Sequence, residues 1–266
     1  MKLPAPTPKL RELRKRLRRF ASAQDAQFLQ HFFKTGPSEY GEGDQFLGIR
    51  VPVVRRLVRE FRGLSMADTC ELLHSPIHEE RLLALLMLVD AYDRGTESER
   101  AAIFRLYLDN TAYINNWDLV DGSAPGIVGR HLETRPRKVL FELARSPDVW
   151  KRRIAVLAAF RFIRRNEFAE ILRLAEMLLQ DRHDLIHKAV GWMLREAGKR
   201  DVTILRGFLE QYAARMPRTM LRYSIEKLPV TERRRWLAAG GKKVVGLKHS
   251  SKALCDGYAM SAAGGR

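Results

Sequence analysis

The chain is predicted to fold as an all-α, HEAT-like helical-repeat solenoid with a concave basic groove, on three observations. Helical spacing of apolar residues continues to about residue 239 with no sustained period-two run. Basic residues enter alternate helices at near-constant spacing: 35 residues from Arg153 to Lys188, 34 from Lys188 to Arg222, and 36 from Arg81 to Trp117 at the corresponding place in the repeat between. The net charge of +17, with a pI near 10.3, is that of a polyanion binder. A period near 35 with two helices per unit marks an α-solenoid, in which equivalent positions line one curved surface.

The elements follow in order. Leu10, Leu13, Leu17 and Phe20 share one face of a helix over 10–20, with Arg11, Arg14, Lys15, Arg18 and Arg19 around the remainder. Ala26 to Phe33 is expected to pair with it as a helical hairpin. Four glycines and a proline make 36–48 a loop, in which Tyr40 is either an aromatic offered to a ligand or an anchor tucked beneath. Ser65 with Asp68 has a capping pattern, Gly95 ends a helix over 78–92, and Gly198 follows one over 185–197. Asp201 caps the next, to about residue 214, and Pro217 and Pro229 bracket another. Residues 1–239 are expected to form one repeat domain including the basic N-terminal helix, and 240–266, glycine- and lysine-containing without periodicity, a flexible tail.

Several classes are set aside. Cys70 and Cys255 are far apart, which excludes a disulfide framework or a Cys-based zinc site and fits a reducing compartment. No apolar run is long enough to cross a membrane, and the start, with Pro4, Pro6 and Pro8, has no signal-peptide core. His183 and His187 have the i, i+4 spacing of helical metal ligands, but no third ligand follows. Without a phosphate loop, a dinucleotide fingerprint or a nucleophilic Ser/His/Asp set, neither metal nor cofactor is expected.

The candidate chemistry centres on Asn115 to Gly122, where Trp117 and Asp121 stand four residues apart on one helical face. Asp118 points about 100° away and ranks as structural. By repeat phase, Trp117, Asp121, Arg153, Lys188, Trp192 and Arg222 share a groove, suited to a rod-like polyanion held by phosphate contacts. Each has an ordinary alternative: core packing for the tryptophans, a cap or ion pair for Asp121, a brace for Arg153.

Four blocks carry a resemblance from about Phe28 to Leu228: Phe46 to Pro52, Asn116 to Asp121, Trp150 to Ala155 and Ile186 to Glu196. Together they resemble the AlkD-type bacterial DNA alkylation repair family, HEAT-like glycosylases for alkylated purines. The resemblance implies that Asp121 is the essential carboxylate, Trp117 and Trp192 the groove aromatics, and Arg153 the groove arginine holding a phosphate. Tyr40, Arg81, Arg152, Lys188 and Arg222 are expected to contact DNA. The implied partner is duplex DNA containing alkylated purines, bound by a monomer in the bacterial cytoplasm at the nucleoid. An N3- or N7-alkylated purine is cationic and leaves neutral, so the enzyme needs no strong general acid, and the lesion need not be flipped out. The Gly-rich Tyr40 loop is longer than in the best-known members. A noncatalytic HEAT-like DNA-binding protein is the first alternative and a scaffold for acidic protein partners the second.

Overall fold

The computed structural model describes residues 6–239, and the regular elements among them are helices. The first six are α1 (Pro8–Arg18), α2 (Ala23–Phe32), α3 (Val51–Glu60), α4 (Met66–Leu73), α5 (His78–Arg94) and α6 (Glu97–Asp109). After a 3-10 turn at Thr111–Tyr113 comes α7 (Trp117–Ser123), and a π-helical turn, Pro125–Gly129, continues it. The chain goes on through α8 (Lys138–Ala144), α9 (Val149–Ala158), α10 (Phe160–Ile163) and α11 (Ala169–Met177). It ends with α12 (Asp184–Arg200), α13 (Val202–Tyr212), α14 (Arg218–Ser224) and α15 (Val230–Ala239). The expected tail over 240–266, with Cys255, lies outside the described residues.

The predicted solenoid is present. Helices α3, α5, α7, α9, α12 and α14 form an inner row, each packed on the next, while α4, α6, α8, α11 and α13 back it from outside. One apolar core runs the length of the stack, from Leu10 to Trp236. Leu10, Leu13 and Leu17 show why α1 joins it: all three are fully buried, each worth about 1.5–3 kcal/mol. Thr7 fixes its start, accepting from the Leu10 N–H at 3.2 Å and donating its hydroxyl to Asp68 of α4 at 2.7 Å.

Two expectations are corrected. The first two helices do not make a packed hairpin: α1 packs on α3, and α2 buries none of its residues. Gly198 does not end its helix. It lies inside α12, which runs to Arg200, and a Cβ there would come 2.5 Å from the Leu205 side chain, so glycine is needed where α13 crosses. The caps at Ser65 and Asp201 form as expected, accepting from Asp68 N at 3.1 Å and Thr203 N at 2.9 Å.

The sequence His78-Glu79-Glu80-Arg81 opens α5 with four buried polar side chains that tie down neighbouring segments. Glu79 accepts the backbone N–H groups of Leu47, Gly48 and Ile49 at 2.8 to 3.1 Å. Glu80 takes Arg14 of α1 at 3.1 Å. Arg81 donates to Asp44 at 2.5 Å, and His78 bridges Asp44 at 2.9 Å and Asp118 at 2.8 Å. Burial pulls the His78 pKa down, but the two carboxylates outweigh it and push the value up to about 9, so the ring is an imidazolium at neutral pH. The Gly-rich loop is therefore clamped at Asp44 and from Leu47 to Ile49.

Candidate active site

Helix α7 is positioned from its first residue. The fully buried Asn116 caps it, accepting from Trp117 N at 2.8 Å and donating to Asp44 at 3.3 Å. Leu119, Val120 and Ser123 turn into the core, which leaves Trp117 and Asp121 half-buried on the other face. The indole of Trp117 stacks on Phe33 at 5.1 Å between centroids, and Phe33 stacks on Phe46 at 5.1 Å. Phe32, 52% exposed, meets the same indole edge-on, so α2 borders the site with an aromatic face that the sequence reading passed over.

Asp121 receives a bidentate clamp from Arg153 of α9: Nε at 2.8 Å on one oxygen and Nη2 at 2.7 Å on the other. The third arm, Nη1, donates to the Leu185 carbonyl in the first turn of α12 at 2.7 Å. Three consecutive inner helices are thus joined through one guanidinium. The Arg153 side chain is only 6% exposed and the Asp121 side chain 17%, so the guanidinium is turned to the carboxylate and its charge is spent on it. Burial pushes the Asp121 carboxyl above its ordinary range, helped by the charge of Asp118, while Arg153 pulls it down without cancelling the rise.

Helix caps set the phase of each candidate residue. Asp121, Arg153, Lys188 and Arg222 each stand five residues beyond the cap of their helix, at Asn116, Asp148, His183 and Pro217. Arg81 and Arg152 stand four beyond theirs, at Ile77 and Asp148, a rotation of about 100°. Both are corrections to the expected DNA contacts. Arg81 is 4% exposed, held by Asp44 and the Ser75 carbonyl at 3.1 Å. Arg152 repeats that arrangement two units on, gripping Asp181 at 2.6 Å and the carbonyls of Ser146 and Pro147 at 2.9 and 2.8 Å. The in-phase partner of Arg153 on α5 is Leu82, and on α7 it is Asp121, not Trp117.

Lys188 is partly exposed, with its ammonium on Asp184 at 2.7 Å. Arg222 is exposed. Trp192, one turn beyond Lys188 on α12, is half-buried and donates its indole N–H to Glu196 at 3.1 Å. Tyr40 is both packed and poised. Its ring meets Trp150 edge-on at 6.0 Å, burial pushes the phenol pKa up so that it stays protonated, and the phenol lies within reach of the Lys188 charge. His183 caps α12, accepting from Leu185 N at 3.2 Å, and His187 bonds the Asp181 carbonyl at 2.6 Å, so each has a structural partner. Asp118 is held by His78 on α5. No helix among the described residues is long and apolar enough to cross a membrane.

Comparison with curated proteins gives no significant match. Among solved structures, a predicted DNA alkylation repair enzyme from Enterococcus faecalis is similar, with a TM-score of 0.60 at 16% identity over 79% of this chain and 97% of that one. That likeness shows the fold. Residues 13–228 match the family described as DNA alkylation repair enzyme, and with most of its length inside that match the chain belongs to this family.

Proposed function

We propose that this protein is a monofunctional DNA glycosylase that hydrolyses the N-glycosidic bond of cationic N3- or N7-alkylated purines, such as 3-methyladenine and 7-methylguanine, in duplex DNA. The observation that carries the reading is Asp121: a carboxylate fixed by two hydrogen bonds, with an edge open beside Trp117 in a groove lined by Lys188 and Arg222. Family membership supplies alkylation repair as the setting. In the reaction the C1′–N bond breaks with its electron pair going to the base, which leaves neutral. Asp121 faces the positive charge developing on the deoxyribose and positions water for C1′, and the water proton is released to solvent. A carboxylate keeps acceptor sites beyond the two that Arg153 occupies. The faces of Trp117 and Trp192 add attraction to the cationic sugar. Selectivity then follows the lability of the cationic lesion, and the base need not leave the stack.

The rival reading, a noncatalytic HEAT-like DNA-binding protein, is favoured by the same ion pair, because both Asp121 oxygens already face Arg153. One experiment separates them: release of 7-methylguanine and 3-methyladenine from methylated duplex DNA by the native chain and by Asp121→Asn. The glycosylase reading expects release by the native protein, a loss of at least about a hundredfold in the variant, and duplex affinity unchanged within a few-fold. Duplex binding with no base released by either protein would leave the binding reading standing.

A further inference from the structure

A cleft of about 410 Å³ opens between α12, α14 and α15, lined among others by Lys188, Thr219, Arg222, Tyr223, Glu226 and Arg233. Its charges do not cancel. Lys188 is paired with Asp184, and Glu226 is already paired with Arg195 and Lys227. Arg222 and Arg233 are both exposed, and among the described residues neither has a carboxylate in an ion pair. Two guanidinium groups facing one cleft repel each other until an anion joins them, and Tyr223, 37% exposed, adds a hydroxyl to the lining. The cleft also continues into the groove. Lys188 forms its near wall, and the Lys188 ammonium feels Tyr223 on the cleft side and Tyr40 on the side of Trp117.

We propose that this cleft seats one backbone phosphodiester of the strand lying in the groove. Successive inner helices are spaced roughly 8–10 Å apart, and α7, α9, α12 and α14 are consecutive. The seat, two to three spacings from α7, thus lies roughly 16–30 Å from Asp121, or about five to nine base pairs at about 3.4 Å each. It would fix the register of the duplex, so that a lesion meets Asp121 with its flank already held. The position relative to the lesion rests on the glycosylase reading; the seat itself does not.

The test is a binding measurement that does not depend on base release. Duplexes with one neutral methylphosphonate, scanned along each strand, are titrated against the full chain and against Arg222→Gln/Arg233→Gln. The native protein is expected to lose about tenfold in affinity at one position. The double variant should lose nothing further there, and its log–log salt slope should be shallower by about 1 or more. Arg233→Lys, which keeps the charge, should restore part of the slope. A flat scan in the native protein, or an equal loss at that position in the double variant, overturns the seat. Competition by dAMP with a flat scan also overturns it and assigns the cleft to a free nucleotide. A positive scan from a protein that releases no base keeps the seat and rejects the glycosylase.

Discussion

Arg81 on α5 and Arg153 on α9 share a local pattern: 4% and 5% exposed, each on an aspartate from another part of the chain, each also donating to a backbone carbonyl. Their acids differ. The Asp44 side chain is 3% exposed and receives Arg81, His78 and Asn116, whereas that of Asp121 is 17% exposed and, among the described residues, has Arg153 as its one ion-pair partner. One residue of helical phase separates them, four beyond the cap against five. The closed pair fixes a loop; the half-open one leaves a charged edge in the groove. A buried arginine in this solenoid therefore says nothing of function until its acid is located.

Cutting both pairs is the strongest way to break the comparison. Arg81→Ala leaves Asp44 buried with a lost partner and is expected to destabilise the fold by about 3–5 kcal/mol in urea unfolding. Whatever protein remains folded should show the duplex salt slope of the native chain. A slope lowered by about one would make Arg81 a phosphate contact.

His78 gives the next largest effect, because it serves the closed pair and touches the site through Asp118. It faces Asp44, Asp118 and, across Asp44, Arg81. Its pKa is about 9 in the fold against 6.5 for an unperturbed ring, so its contribution is fully present below pH 6.5 and lost as pH rises through about 9. That span corresponds to about 3 kcal/mol. Unfolding free energy measured from pH 6 to 10 should fall accordingly in the native chain and stay flatter in His78→Gln; parallel curves would remove the imidazolium from the network.

Arg153→Ala sharpens the contrast. Asp121 is open enough to rehydrate, so the stability loss should be smaller, about 1–3 kcal/mol. Single-turnover base release should fall much more than it does in Arg81→Ala, once each is measured on folded protein. Equal losses in both assays would mean that the two pairs do the same job.

These differences explain what the sequence could carry. The solenoid was legible because period and apolar faces are properties of the chain itself, and Asp121 with Trp117 was legible from their four-residue spacing and the motif around them. The one-residue phase error was not, since Arg152 and Arg153 are adjacent and only the cap at Asp148 tells which faces inward. Two Ser-Pro pairs, at 75–76 and 146–147, each six residues before an arginine when counted from the serine, were the available signal. Arg233 had none, because α15 reaches the cleft through tertiary packing outside the repeat phase. Asp44 was hidden in a loop, where no periodicity reports burial.

The smallest effect bears most directly on the open carboxylate. Catalysis by Asp121 needs its ionised form, so base release should decline as pH falls through its pKa, which burial holds above the ordinary carboxylate range. Asp118 contributes to that rise as a like charge. Asp118→Asn removes that charge, which favours an ionised Asp121, and His78 keeps Asp44 as its remaining carboxylate. The acid limb of single-turnover 7-methylguanine release should therefore move to lower pH in Asp118→Asn, with the plateau rate near that of the native protein. A limb that stays in place would show that Asp118 is screened from the site by its imidazolium, and one that moves upward would mean that the carboxylate being titrated is not Asp121.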